Sequence, residues 1–66
     1  EEELLALHEA LEELARLDAR KARILELRFF GGLSIREIAR VQEISKATVE
    51  REMKMARAWL AQALER

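Results

Sequence analysis

Leu33-Ser34-Ile35-Arg36-Glu37-Ile38-Ala39 and then Ile44-Ser45-Lys46-Ala47-Thr48-Val49 read as two helix beginnings in quick succession. Ser34 and Glu37 have the spacing of a capping box, in which each side chain satisfies a free backbone N–H of the other. Leu33 before the cap and Ile38 after it form the matching hydrophobic staple. The second beginning repeats the device, with Ser45 as cap and Ile44 and Val49 as staple. A short capped helix, a tight connection and a second capped helix describe a helix-turn-helix. Ala39 supplies the small side chain that two closely crossing helices need, and Val49 lies one turn into the second of them. Ile38, Ile44 and Val49 then hold the pair together and leave the N-terminal half of the last helix exposed.

Working outward, the whole chain predicts an all-α domain of four helices, at about 3–16, 19–30, 35–41 and 46–64. Leu4, Leu7, Leu11 and Leu14 alternate spacings of three and four, which makes one stripe of the first helix. Glu9, Glu12, Glu13 and Arg16 fall on its wet side, with Glu12 and Arg16 spaced as an i,i+4 pair. Asp18 is a good cap for a second helix. That helix runs through Ala22, Leu25 and Phe29, with Ile24, Leu27 and Phe30 broadening its apolar face, and is expected to be the most buried. Gly31-Gly32 stops it by providing a residue at ease in the left-handed conformation. Ile35, Ile38, Ala39 and Val41 give the third helix an inward face. Val49, Met53, Ala56 and Leu60, with Ala63 or Leu64, form the stripe of the fourth. Trp59 lies on its flank and is expected to pack between helices rather than stack on a ligand. Glu1–Glu3 suit the positive end of a helix dipole.

Composition closes off several function classes. The chain has 66 residues, 38% of them charged, with two glycines, no proline and no cysteine. It therefore has one small core, no disulfide framework and no catalytic thiol. Its apolar runs stay far short of the about 20 residues a membrane span needs, and no signal-peptide pattern opens it. A cytoplasmic location is expected. The missing initiator Met suggests a piece of a longer protein. His8, the single histidine, has no second ligand type placed to help it, so no metal site is expected. No Ser/His/Asp set, Gly-rich phosphate loop or pair of carboxylates in an apolar pocket points to an enzyme, a cofactor or a small-molecule substrate. The formal charge is −1, but the first 33 residues carry −3 and the remainder +2. A polyanion would meet the second half.

The run Leu27-Arg28-Phe29-Phe30-Gly31-Gly32-Leu33-Ser34-Ile35-Arg36-Glu37-Ile38-Ala39, with Ile44-Ser45-Lys46-Ala47-Thr48-Val49 and Ala56-Arg57-Ala58-Trp59-Leu60, resembles region 4 of bacterial RNA polymerase sigma factors of the extracytoplasmic-function type. The resemblance spans about residues 5–64. It implies the domain that contacts the −35 promoter element while bound to core polymerase, and a separate promoter-melting domain lying outside this sequence. Promoter DNA, RNA polymerase core and an anti-sigma factor are the partners it implies. There are departures from the family pattern. Gln42-Glu43 stands where Leu-Gly is usual, and a residue with a Cβ pays about 1–2 kcal/mol for a left-handed conformation. A looser or differently shaped turn is expected. Glu50 stands where Lys is frequent, and Ala19 where Pro often begins the second helix.

If the last helix enters a major groove, Lys46, Ala47, Glu50, Arg51 and Lys54 are its outward positions and the candidates for reading bases. Arg51 suits guanine O6 and N7, Glu50 suits cytosine N4, and Ala47 suits a thymine methyl. The blander reading makes Glu50 and Lys54 a surface ion pair and Arg51 a solvated charge. Ser34, Arg36, Ser45, Thr48 and Arg57 are the candidates for holding phosphates, the serines being helix caps in any case. Lys46 can serve the same purpose, and Arg40 is either a phosphate contact or a solvated charge. Two other functions compete with promoter recognition. One is the output domain of a response regulator, which shares the layout. The other is a helical module that binds proteins without reading DNA, favoured by Glu43, Glu50, Glu52 and the acidic first half.

Overall fold

A computed structural model describes residues 2–65, and Glu1, part of the expected acidic helix start, lies outside them. The described chain forms four helices and no strand: α1 (Glu2–Leu17), α2 (Ala19–Phe29), α3 (Ile35–Gln42) and α4 (Lys46–Glu65). Each boundary falls within a residue of the sequence expectation. Asp18 turns α1 directly into α2. Its backbone N–H donates to the Leu14 carbonyl at 2.6 Å while its side chain accepts the Lys21 N–H at 3.2 Å.

α2 and α4 form the middle of the bundle. α1 packs on both from one side and α3 packs on both from the other, so α1 and α3 do not meet. The core takes Ala10, Leu11 and Leu14 from α1, Ala22, Ile24 and Leu25 from α2, Ile38 from α3, and Val49, Met53 and Ala56 from α4. Ile24, Leu25, Ile38 and Val49 are the largest fully enclosed side chains. Each contributes about 1.5–3 kcal/mol of hydrophobic burial. Trp59 and Leu60 pack against this cluster.

Four apolar expectations fail, each because the neighbouring helices leave the position largely uncovered. Leu4 is 69% exposed, and Phe29 and Phe30 are 55% and 66% exposed. They lie where α1 begins and α2 ends, where α4 covers Phe29 only in part, through Arg57. α2 is thus buried along its first half and projects from the bundle at its end. Val41 is also exposed. It lies about 60° around the helix from Ile38, on the side away from Ala39. On α1, Glu12 approaches His8 at 3.5 Å.

The end of α2 is built as its sequence requires. Gly32 takes a φ of 70°, and a Cβ on Gly31 would stand 2.8 Å from the Leu27 carbonyl oxygen. Arg28 donates from Nη1 to the Leu33 carbonyl at 3.0 Å, tying the helix to the loop that leads into α3.

Candidate nucleic-acid interface

The N-terminus of α3 carries the full capping box. Ser34 Oγ accepts the Glu37 N–H at 3.1 Å, and Glu37 Oε1 accepts the Ser34 N–H at 2.8 Å. The backbone and hydroxyl of Ser34 together hold the Glu37 carboxyl below its usual range. At α4, Ser45 Oγ accepts the Thr48 N–H at 3.0 Å and donates to Thr48 Oγ1 at 2.8 Å. Both serines are therefore caps, and Ser34 shares its helix end with a carboxylate.

The turn between these helices closes more tightly than its sequence suggests. Glu43 itself adopts the left-handed conformation, with φ 57° and ψ 44°. Its N–H reaches the Arg40 carbonyl at 3.3 Å, and the Ile44 N–H reaches the Ala39 carbonyl at 3.0 Å. That pair of bonds is the Schellman motif that glycine usually completes. The expectation of a looser turn is corrected: the geometry is kept and Glu43 bears its cost. Ile44 then tucks, partly buried, against the core cluster that includes Ile38 and Val49.

With the turn set, α4 divides cleanly around its axis. Val49, Glu52, Met53 and Ala56 face inward. Lys46, Ala47, Glu50, Arg51 and Lys54 are all exposed, so the five outward positions share one accessible face. Glu50, Lys54 and Arg57 line a shallow depression with Arg28, Ile35 and Met53, bounded by the end of α2 and the start of α3. Among the described residues no ion pair joins Glu50 to Lys54. Ser34, Arg36, Ser45 and Arg57 are exposed and Thr48 is half-buried. Arg57 lies with its guanidinium carbon 5.1 Å from the centre of the Phe29 ring, a cation–π geometry. Ser34 and Ser45 thus sit at the two helix starts, while Arg57 stands about three turns further along α4.

Glu52 is a correction. Its charge favours a protein-binding module only if it faces a partner, yet it is 7% exposed. Arg20 Nε donates to its Oε1 at 3.1 Å, and Lys21 Nζ lies 3.5 Å from the same oxygen and 2.7 Å from Asp18 Oδ2. The Arg20 hydrogen bond, aided by Lys21, holds the Glu52 carboxyl below its usual range against the opposing effect of burial. The spacing carried a signal for this. Glu52 stands three residues after Val49 and four before Ala56, on the apolar stripe itself.

The model of one protein family, ECF sigma factor, matches residues 1–66, the full sequence. The chain belongs to the ECF sigma factor family. Its part is accordingly in transcription initiation, and RNA polymerase and promoter DNA are the partners that membership in the family brings. Sigma factors regulate transcription without being enzymes. No match was found among curated proteins or among solved structures. Within this sigma-factor chain, no described helix is long and apolar enough to cross a membrane. Four helices, with α3 and α4 joined by a three-residue turn, are compatible with the helix-turn-helix expected from the sequence.

Proposed function

We propose that this region-4-like domain recognises the −35 element of promoters, with α3 and α4 as the helix-turn-helix and the first half of α4 in the major groove. The supporting observation is the division of α4 into an enclosed face and an exposed face bearing Lys46, Ala47, Glu50, Arg51 and Lys54. Arg51 reads guanine, Glu50 accepts from cytosine N4, and Ala47 meets a thymine methyl. Ser34, Arg36, Ser45, Thr48 and Arg57 hold phosphates around them. The site is built for modest intrinsic affinity, because Glu37, Glu43 and Glu50 oppose a polyanion. Tethering to polymerase supplies the effective concentration that compensates.

Core polymerase is held through apolar surface away from α4's outward face. Leu7, Leu11, Leu25, Phe29, Phe30 and Leu60 line a hollow there, free of polar groups. An anti-sigma factor that covered this hollow would compete with polymerase. The protein works in the cytoplasm with its polymerase. Selection of the chain on a randomised duplex library at two salt concentrations tests the reading. Enrichment of a short motif, with affinity falling steeply as salt rises, supports it. Absence of any enriched motif at either salt concentration contradicts it.

A further inference from the structure

We propose that Glu52 is a positioning residue that fixes the rotation of α4 about its own axis, and so aims Arg51 and Lys54. The inference rests on the DNA-reading role proposed above. α4 is held in the core by the apolar side chains of Val49, Met53 and Ala56, and tied to α2 by Glu52. Apolar contacts are non-directional and let a helix roll or slide by small amounts. Glu52 is different in kind. Its Oε1 accepts from Arg20 at 3.1 Å and lies 3.5 Å from Lys21 Nζ, which is itself anchored to Asp18 at 2.7 Å. Asp18 is the cap at the corner between α1 and α2. A charge-assisted, angle-dependent chain thus runs from that corner to the residue directly following Arg51.

Stability alone does not explain a carboxylate here. Replacing a buried ion pair with apolar side chains of similar volume is often neutral or stabilising, while such pairs do fix conformation in some proteins. A methionine or leucine would complete the stripe of Val49, Met53 and Ala56 as well. What Glu52 adds is an orientation, and orientation is what a bidentate contact to a base demands.

The test compares the chain with Glu52→Met and Glu52→Gln, using the duplex motif enriched by the parent and a scrambled duplex of equal length. Thermal melting first establishes that each variant is folded at the binding temperature. Glu52→Gln keeps an acceptor for Arg20, which makes it the fallback if Glu52→Met does not fold. The ratio of the two affinities is expected to fall about tenfold in Glu52→Met and less in Glu52→Gln. Affinity for the scrambled duplex and its salt slope stay as in the parent, because no phosphate-facing cation has changed. A purely structural role would move the melting temperature and leave the ratio alone. A folded variant with the parent's ratio overturns the proposal. A parent that shows no sequence preference overturns the DNA-reading role instead, and the positioning of Arg51 with it.

Discussion

The backbone N–H of Ile44 donates to the carbonyl of Ala39 at 3.0 Å, and Glu43 between them takes a left-handed conformation. A side chain is carried where glycine would be at ease, at a cost of about 1–2 kcal/mol. The cost is borne because the bond delivers Ile44 to the core and Ser45 to the cap of α4.

Glu43→Gly should therefore stabilise the domain. Glycine removes the steric cost but adds freedom to the unfolded chain, leaving a net gain of about 0.5–1 kcal/mol. For a domain this size that is a rise of a few degrees, about 2–8 °C, in melting temperature. Calorimetry checks it. Glu43→Gln, which keeps the Cβ, should leave the melting temperature near the parent's.

Val49→Asp should abolish cooperative melting. Val49 is fully enclosed in the core, and an aspartate there is a buried charge without a partner. Total stability of about 0.05–0.15 kcal/mol per residue does not absorb that loss. Circular dichroism would show it as a low, gradual thermal transition. A sharp transition at the parent's temperature would contradict the placement of Val49.

Stability should fall on the acid side. The Lys21 hydrogen bonds hold Asp18 below its ordinary 3.8, and the Arg20 hydrogen bond holds Glu52 below its ordinary 4.5. Carboxyls depressed in the folded state contribute stability that is complete above their unfolded values and is lost as pH falls through their folded ones. The decline therefore begins below about pH 4.5. Lys21 is raised above its ordinary 10.5, chiefly by its bond to Asp18, so its contribution is whole below that pH and disappears at still higher pH. Urea titrations between pH 7 and pH 3 measure the acid limb. Glu52→Gln should make it shallower.

Much of the fold was legible because it is written in local signals. The caps at Asp18, Ser34 and Ser45 and the stop at Gly31-Gly32 act over a few residues, and all appear in the structure. Periodicity also found Leu11, Leu14, Ile38, Val49, Met53 and Ala56. It could not find where coverage ends. Leu4, Phe29 and Phe30 follow the helical spacing and still face outward, since exposure depends on where neighbouring helices stop. Glu52 was missed for the opposite reason. Its position lies on the apolar stripe, but its chemistry suggested solvent, and Arg20, 32 positions away, decides the matter. For the candidate interface, the exposed face of α4 was legible from spacing. The stacking of Arg57 on Phe29, which depends on the projecting end of α2, was not.

The most direct test of base reading by α4 is the affinity of the chain and of Arg51→Ala for the enriched duplex and a scrambled one, each across a salt series. Arg51 is exposed, so its loss should leave the melting temperature unchanged. If it reads a guanine, the variant loses about 1–3 kcal/mol of discrimination between the duplexes, while scrambled binding weakens only by one cation's share. An unchanged ratio between the two duplexes would contradict the assignment of Arg51 as the residue that reads the base.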